Sequence, residues 1–231
     1  MKTTLVILTK NEVQGVNAVV PKIPRGAVDE IIAVDGGSTD GTREAFKSIG
    51  IDIVPQKSPG RGEAFRIAAE KSQGDILIFF SPDGNENPND IPKFRKYFEE
   101  GADIVIASRM MKGAHNEEDE STFPVRKWVN QAFGLIANIL WNRSGKFVTD
   151  TINGYRAIRK DVFKELKLDG PGYTIEYQMS IRALKHRKKI VEFPTYESGR
   201  IGPGGSPSLT TGIAFIKCLW REIMLSFKKR I

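Results

Sequence analysis

Carboxylate and amide side chains follow the most apolar run of the chain, and their types suit the binding of a cation and a phosphorylated ligand. The run covers residues 76–80, Asp83 comes directly after it in a polar segment, and Asn85 follows. Mg²⁺ and Mn²⁺ prefer oxygen ligands of this kind and can bridge a diphosphate. An ordinary turn before a helix that starts near Pro88 explains the same residues equally well. The segment is therefore a candidate metal site with a structural alternative.

A glycine-rich segment at residues 35–42 can turn tightly and bring its backbone close to a ligand. Its glycines stand at positions 36, 37 and 41. This spacing matches neither the dinucleotide fingerprint nor the phosphate loop of nucleoside triphosphatases. The alternative is a plain strand-to-helix turn in which Ser38 or Asp40 caps the following helix.

The charge balance favours contact with phosphates. The chain has 35 Lys and Arg against 28 Asp and Glu, which gives a net charge of +7. Candidate phosphate-binding arginines open a helix, follow a strand or lie near Gly, Asn or Pro: Arg61, Arg109, Arg126, Arg156 and Arg200. A solvated surface position is the alternative for each. The basic residues are spread through the chain without interleaved aromatic residues, which argues against a nucleic-acid partner.

Histidine and cysteine contribute no metal site. His115 and His186 are scattered, with no third nitrogen or thiol nearby in the sequence. The single Cys218 excludes an internal disulfide and a cysteine-based zinc site.

The elements that must position these residues alternate between strands and helices. Short apolar runs predict strands at residues 5–8, 30–34, 51–54, 75–80 and 103–107, and helices are predicted at 41–48, 62–71 and 90–100. Such alternation indicates βαβ units and a parallel sheet, in which ligands collect at the carboxyl ends of the strands. The polar segments 9–12, 35–41 and 81–85 all fall at such ends, so we place the site there. Further helices are predicted at 126–141, 161–168, 176–187 and 213–229, with a strand at 190–193 and a break at 202–206.

Size and composition indicate one large α/β domain. The chain has 231 residues, 40% hydrophobic and 27% charged, which excludes a disordered or polytopic membrane class. Residues 5–8 are too short for a signal peptide, and no window approaches the roughly 20 apolar residues of a spanning helix. We expect a protein that is soluble or lies on a membrane surface. The helices at 126–141 and 213–229 carry Trp and basic residues, so they suit either packing on a core or partner subunit, or a membrane surface.

Six motifs, taken in order, resemble family 2 glycosyltransferases of the GT-A fold, and most of all the dolichyl- or polyprenyl-phosphate mannosyl- and glucosyltransferases. They occupy residues 8–12, 34–42, 60–62, 79–85, 108–109 and 150–156, and the resemblance runs from residue 3 to about residue 206. It implies an α/β, Rossmann-like, mostly parallel sheet flanked by helices. It also implies a GT-A domain over 1–206. The apolar residues that recur at helical spacing after it predict a C-terminal amphipathic helix within 207–231, for membrane or dimer contact.

The resemblance implies roles for individual residues. Nucleotide-sugar binding falls to Leu8, Lys10, Glu12, Asp35, Gly37, Arg61, Pro82 and Asp83. Acceptor or phosphate binding falls to Arg109, Arg126, Asn153, Arg156 and Arg200. The catalytic group is Asp83, Asp150 and Arg109, and the Mg²⁺ or Mn²⁺ ligands are Asp83 and Asn85.

The chain departs from the family pattern at three points. Ser81 stands where the family has the first aspartate of its metal motif, so the metal site loses a carboxylate. Gly36 replaces the second acidic residue of the nucleotide loop, and residues 204–206 match the end of the acceptor region only loosely.

The resemblance leads us to expect an inverting transfer of a hexose from a GDP- or UDP-sugar to a polyprenyl phosphate. A phosphate acceptor is already anionic, with a second pKa of about 6, and needs orientation more than a general base. The enzyme is expected on the cytoplasmic face of the membrane, bound peripherally, with a homodimer as an option. One alternative is a sugar-phosphate nucleotidyltransferase, although residues 9–12 lack its glycine-rich loop. The other is a nucleotide-sugar-binding protein without turnover, which Ser81 favours.

Overall fold

The computed structural model describes residues 1–143, 145–203 and 208–228. Within these residues, seven strands form one sheet: β1 (Thr3–Thr9), β2 (Glu30–Asp35), β3 (Asp52–Pro55), β4 (Ile76–Phe80), β5 (Ile104–Ser108), β6 (Arg156–Arg159) and β7 (Ile190–Pro194). Their order across the sheet is β3-β2-β1-β4-β6-β5-β7. All pairs are parallel except those of β6, which runs antiparallel to both β4 and β5. The mostly parallel sheet predicted from the sequence is confirmed.

The central strands are apolar throughout because both faces of the sheet are covered. All five residues of β4 are buried, as are all seven of β1. Alternate residues of β1 enter different cores: Val6 and Leu8 on one face, Leu5 and Ile7 on the other. This arrangement explains why these strands are continuous apolar runs without alternation.

In the described part of the chain, eight α-helices cover the sheet: α1 (Val13–Val19), α2 (Thr42–Ser48), α3 (Arg61–Lys71), α4 (Ile91–Glu99), α5 (Val125–Trp141), α6 (Lys160–Glu165), α7 (Ile175–Lys185) and α8 (Ser208–Lys228). The helices predicted from the sequence are present with shifted ends, and α8 starts five residues earlier than the predicted 213. The strand β6 and the helix α1 were not predicted. Both are short, and the sequence of β6 places arginines at its two ends, so it has no apolar run.

The helices α5 and α8 both expose large apolar side chains. On its inner face α8 is held by Phe215, whose ring centroid lies 5.5 Å from that of Phe133 and 5.6 Å from that of Tyr177. Outward-facing side chains on the two helices include Trp128, Leu135, Ile139, Ile213, Ile216, Trp220 and Phe227. We call this the α5–α8 surface. None of the helices described is both long and apolar enough to cross a membrane.

The end of the predicted GT-A region is only partly described. Gly202, at the start of the predicted break, has a left-handed φ of 82°. The motif at residues 204–206 and the domain boundary between 206 and 207 lie outside the described residues.

Candidate active site

A cleft of about 980 Å³ opens at the carboxyl ends of β1, β2 and β4. The loops after these strands form one wall, and residues 109–130, 152–154, 172–176 and 197–203 form much of the rest. Thr211 and Phe215 of α8 also line it. The polar segments that follow the strands therefore meet at one site, as the strand–helix alternation predicted.

The loops after β1 and β2 are tied together by hydrogen bonds. The amide of Asn11 donates to Ser38 Oγ (2.8 Å), and the amide of Thr39 donates to Asn11 Oδ1 (2.8 Å). The amide of Glu12 donates to Thr42 Oγ1 (2.9 Å). These bonds hold Asn11 at a positive φ of 56° and place Glu12 in the cleft.

Asp35 lies beneath the cleft and holds the glycine-rich loop in place by hydrogen bonds. Its carboxylate is buried and accepts hydrogen bonds from Arg43 Nε (2.5 Å), Ser38 Oγ (2.5 Å) and the Gly37 amide (3.2 Å). Burial alone would raise the pKa of Asp35, but the bonds from Ser38 and Arg43 outweigh it and lower the pKa below its ordinary value. Neither Asp35 nor Gly37 lines the cleft. Two of the residues predicted to bind the nucleotide sugar thus do not line the cleft.

The segment after β4 carries the acidic end of the cleft. Asp83 Oδ2 lies 2.7 Å from Arg200 Nη1, and Asp83 Oδ1 accepts a hydrogen bond from the Asn85 amide (3.2 Å). The other terminal nitrogen of Arg200 pairs with Glu12. Among the residues described, none hydrogen-bonds with the buried Nε of Arg200. Arg200 therefore links two carboxylates from the neighbouring loops after β1 and β4.

Glu86 also lines this end, although it was not among the residues predicted from the sequence. Its carboxylate accepts a hydrogen bond from the Ser81 amide (2.7 Å). Burial and the neighbouring negative charge of Asp83 raise the pKa of Glu86 well above its ordinary value. The available signal was an acidic residue three positions after Asp83 in the same polar segment. A carboxylate thus contacts the backbone at the position where Ser81 replaces the family's aspartate.

Arg61 connects the acidic end of the cleft to α7. It begins α3, pairs with Glu176, and its Nη1 lies 3.5 Å from Ser81 Oγ. Its guanidinium also faces the rings of Phe65 and Tyr173 at 5.6 and 5.8 Å. Glu176 is 115 residues from Arg61 in the chain, so no local pattern indicated this pair.

Arg109 forms a second ionic cluster in the cleft. Its Nε lies 2.8 Å and its Nη2 3.1 Å from the two oxygens of Asp150, and its Nη1 lies 3.0 Å from Glu197. Asp150 is buried beneath Arg109, outside the cleft lining, while Asn153 lines the cleft. Burial alone would raise the pKa of Asp150, but the charge of Arg109 and the bonds it donates outweigh burial and lower this pKa. Burial raises the pKa of Glu197 despite its contact with Arg109.

The remaining two arginines lie in contrasting positions. Arg126 is 59% exposed at the mouth of the cleft and pairs with Glu117 (2.5 Å) and Glu118 (2.6 Å). Arg156 is fully buried and does not line the cleft. Its nitrogens donate to Asn153 O, Thr151 O, Glu176 O and Ser180 Oγ, and burial lowers its pKa to about 10. Arg156 thus holds the fold together, and its guanidinium is not presented to a ligand.

The structure brings most of the predicted residues together. Those that line the cleft are Leu8, Lys10, Glu12, Arg61, Asp83, Asn85, Arg109, Arg126, Asn153 and Arg200. Those that do not are Asp35, Gly37, Pro82, Asp150 and Arg156. Lining residues that the sequence analysis missed include Gln56, Glu86, Glu176 and Glu197. In the described ranges, no three His, Cys, Asp or Glu side chains form a ready-made metal cage.

Residues 4–167 match the family model of Glycosyl transferase family 2, which covers more than half of the chain. The chain belongs to glycosyltransferase family 2. The recognition from the motifs is therefore confirmed, and with it the enzyme class.

Curated relatives of this glycosyltransferase are 26–29% identical to it over the aligned residues. Glycosyltransferase AglJ of Haloferax volcanii is 29% identical over 215 residues, which are 90% of this chain and 68% of the relative. Undecaprenyl-phosphate mannosyltransferase of Micrococcus luteus is 29% identical, over 84% of this chain and 82% of its own. Dolichol-phosphate mannosyltransferase of Pyrococcus furiosus is 26% identical over 84% of this chain, which spans only 56% of that relative.

Solved structures confirm the GT-A fold. Glucosyl-3-phosphoglycerate synthase from Mycobacterium tuberculosis, in complex with Mn²⁺, UDP-glucose and phosphoglyceric acid, superposes with a TM-score of 0.72. The match covers 96% of this chain and 79% of the other, at 21% identity. The same synthase with Mg²⁺ and UDP gives a TM-score of 0.70, also at 21% identity, 96% and 79% coverage.

Proposed function

We propose that this glycosyltransferase moves a hexose from a nucleotide-diphosphate sugar to a polyprenyl phosphate by direct, inverting displacement. The observation that carries the proposal is the layout of the cleft, which holds two adjoining ionic clusters. Asp83, Asn85 and Glu86 lie with Lys10, Arg61 and Arg200 in one cluster, Arg109 and Arg126 lie with their carboxylate partners in the other, and residues of α8 line the cleft beside the α5–α8 surface. This layout provides a separate binding surface for a donor diphosphate, an acceptor phosphate and a lipid chain. The names of the M. luteus and P. furiosus relatives support the lipid phosphate as acceptor.

The carboxylate end suits a divalent cation together with the donor diphosphate. Asp83, Asn85 and Glu86 present hard oxygen donors there, and the burial of Glu86 beside Asp83 favours a positive charge nearby. Mg²⁺ is usually held by one or two carboxylates, and substrate phosphates and water complete its coordination. The residues therefore fit Mg²⁺ or Mn²⁺, with Glu86 supplying the carboxylate that Ser81 lacks. When bound, the ion would neutralise charge on the leaving diphosphate.

The protein's own cations add to this neutralisation. Lys10 and Arg61 line the same end of the cleft, and Arg200 reaches it from the segment after β7. Preorganised positive groups stabilise charge that develops on a leaving group, because they need no reorganisation during the reaction. We assign Lys10, Glu12 and Arg61 to the donor. We assign Asp35, Gly37 and Pro82 to the support of the loops that contact it.

The cluster of Arg109 and Arg126 suits the acceptor phosphate. Arg109 is held in one orientation by Asp150 and Glu197, and Arg126 and Asn153 lie along the same stretch of the cleft. Since Asp150 is ion-paired with a lowered pKa, we assign it the positioning of Arg109 rather than proton abstraction. An anionic phosphate oxygen needs no base to attack the anomeric carbon. A single displacement of this kind inverts the configuration of that carbon.

The lipid half of the proposal depends on the α5–α8 surface. Ile139, Ile216 and Trp220 are each more than 60% exposed, and Lys217 adds a positive charge on α8. Exposed apolar and basic residues on one surface suit the interface of an anionic membrane. We propose peripheral binding to the cytoplasmic face, with residues 1–206 as the catalytic unit and 207–231 as its lipid-facing helix. A second copy of the chain on the same surface is the alternative occupant.

A transfer assay tests the reaction. Purified protein is incubated with radiolabelled GDP-mannose or UDP-glucose, Mn²⁺, and either a short polyprenyl phosphate or 3-phosphoglycerate. We expect product with the polyprenyl phosphate, with the opposite anomeric configuration by NMR. Asp83→Ala should lower the rate by about 100-fold or more. Product with 3-phosphoglycerate alone would contradict the lipid acceptor, and donor binding without transfer to either acceptor would favour a binding protein.

Vesicle binding tests the membrane surface separately. We expect co-sedimentation with vesicles of phosphatidylcholine and phosphatidylglycerol, reduced by about tenfold in the Ile216→Ser, Trp220→Ser double variant. Nucleotide binding by the double variant is the control for its folding and should not change. Equal sedimentation of wild type and variant would contradict a membrane as the occupant of the α5–α8 surface. A dimer that dissociates in the variant would instead show that a second copy of the chain occupies it.

A further inference from the structure

The part of the cleft beside the glycine-rich loop contains a side chain whose orientation is fixed by hydrogen bonds to the backbone around it. Gln56 follows β3, and its own amide donates to Asp35 O (2.9 Å), which continues the pairing of β3 with β2. Its side-chain Nε2 donates to Ser58 O (3.0 Å) and Gly60 O (2.8 Å). Both hydrogens of the amide are therefore used, and two carbonyl oxygens determine which end of the amide faces them. The oxygen Oε1 is left on the other side.

This oxygen occupies the space that Gly36 leaves open. A Cβ at position 36 would lie 3.0 Å from Gln56 Oε1 and 3.3 Å from Lys10 Cβ. Gly36, Gln56 and Lys10 all line the cleft. No group in the described ranges donates a hydrogen bond to Oε1. An acidic side chain at position 36, as the family pattern would have, would require Gln56 Oε1 to shift by a few tenths of an ångström and would crowd this oxygen.

The neighbouring carboxylate is not available for the same task. Asp35 is 1% exposed, is engaged by Arg43, Ser38 and Gly37, and lies outside the cleft lining. A ligand that reached its carboxylate would have to break the ion pair with Arg43. Gln56 Oε1 is thus a free hydrogen-bond acceptor beside the glycine-rich loop, and its amide group cannot turn around to become a donor.

We propose that Gln56 Oε1 recognises the nucleobase of the donor by accepting a hydrogen bond from a ring N–H. Gly36 leaves the space that Oε1 occupies. Uracil and guanine carry such a hydrogen on their Watson–Crick edge. The corresponding ring nitrogen of cytosine and adenine is itself an acceptor, and two facing acceptors repel each other. The site therefore selects the uracil and guanine class of nucleoside diphosphate. This inference rests on the proposed donor site and adds the group that discriminates between bases.

The test compares matched nucleotide pairs by isothermal titration in the presence of Mn²⁺. UDP is compared with CDP, and GDP with ADP. The first nucleotide of each pair carries a ring N–H where the second has an unprotonated ring nitrogen. We expect the wild type to bind UDP or GDP roughly tenfold more tightly than its matched partner, because an acceptor that faces another acceptor in the complex loses a hydrogen bond. Gln56→Met, which is nearly isosteric and cannot accept from N–H in the same way, should reduce this ratio to near one.

Two further variants separate base reading from a structural role. Gly36→Ala keeps the hydrogen bonds of Gln56 but crowds Oε1, so it should also lower the ratio. Gln73→Met changes an exposed glutamine outside the cleft lining and should leave the ratio unchanged. A purely structural role of Gln56 would weaken all four nucleotides equally and preserve the ratio, which would overturn the proposal. Failure of the wild type to bind any of the four nucleotides would instead contradict the proposed function itself.

Discussion

Arg109 and Arg200 each bridge two carboxylates in the same cleft, yet their surroundings differ. Arg109 donates three side-chain hydrogen bonds to Asp150 and Glu197, and its backbone amide also donates to Asp150 (3.1 Å). Arg200 joins Glu12 and Asp83 from the neighbouring loops after β1 and β4, and the described residues provide no partner for its buried Nε. Arg109 is part of a closed network, whereas Arg200 has an incomplete one.

The pKa values of the partner carboxylates show the same difference. The pKa of Asp150 is lowered although burial opposes it, because Arg109 contributes both charge and hydrogen bonds. The pKa of Glu12 is raised, because burial outweighs its pairing with Arg200. A fully bonded arginine thus stabilises the carboxylate beneath it, while Arg200 only partly compensates Glu12. We infer that Arg109 keeps one position in the site. We also infer that Arg200 stays paired with Asp83 until a cation and a diphosphate displace it.

The largest expected effect comes from removing Arg109. Arg109→Met leaves Asp150 as an unpaired buried charge, which should lower the free energy of unfolding by about 3 kcal/mol. Urea denaturation at neutral pH measures this change. Arg126→Met is the matched control: its pairs are exposed, and we expect a loss below about 1 kcal/mol. Equal losses in the two variants would remove the distinction between the buried and the exposed network.

Removing Arg200 should affect function more than stability. Arg200→Met frees Asp83 and Glu12 for a cation, so we expect Mn²⁺ to bind more tightly in the absence of nucleotide, by up to about tenfold. The transfer rate should nevertheless fall by roughly 100-fold, because a cation that faces the phosphates is lost. Titration with Mn²⁺ monitored by electron paramagnetic resonance measures the first effect. Unchanged or weaker Mn²⁺ binding would mean that Arg200 does not compete for Asp83.

The smallest expected effect is a change of the free energy of unfolding with pH in the acidic range. Because the pKa of Asp150 is lower in the folded protein than its ordinary value of 3.8, the stability it contributes is present above that value and lost as the pH falls through the folded pKa. Asp150→Asn lacks this contribution at every pH. The difference in unfolding free energy between wild type and variant should therefore narrow below pH 3.8. A difference that stays constant down to pH 2 would show that Arg109 does not stabilise the ionised form.

Local sequence was sufficient for the framework of the site. The apolar runs predicted the central strands because residues buried on both faces of a parallel sheet must all be apolar. The polar segments after β1, β2 and β4 predicted the position of the cleft, since the carboxyl ends of parallel strands share one edge. The order of the motifs identified the family, which the match over residues 4–167 confirms.

Only the tertiary structure decided which polar side chains face the cleft. Arg156 and Arg109 are both arginines close to motif residues, but Arg156 lies on β6 between β4 and β5, where its guanidinium is enclosed. Glu176 and Glu197 come from positions 115 and 88 residues away from the arginines they bind. Partners at such separations are chosen by the packing of α7 and of the segment after β7. A sequence pattern records the type and spacing of residues, whereas burial and pairing depend on which distant elements cover them.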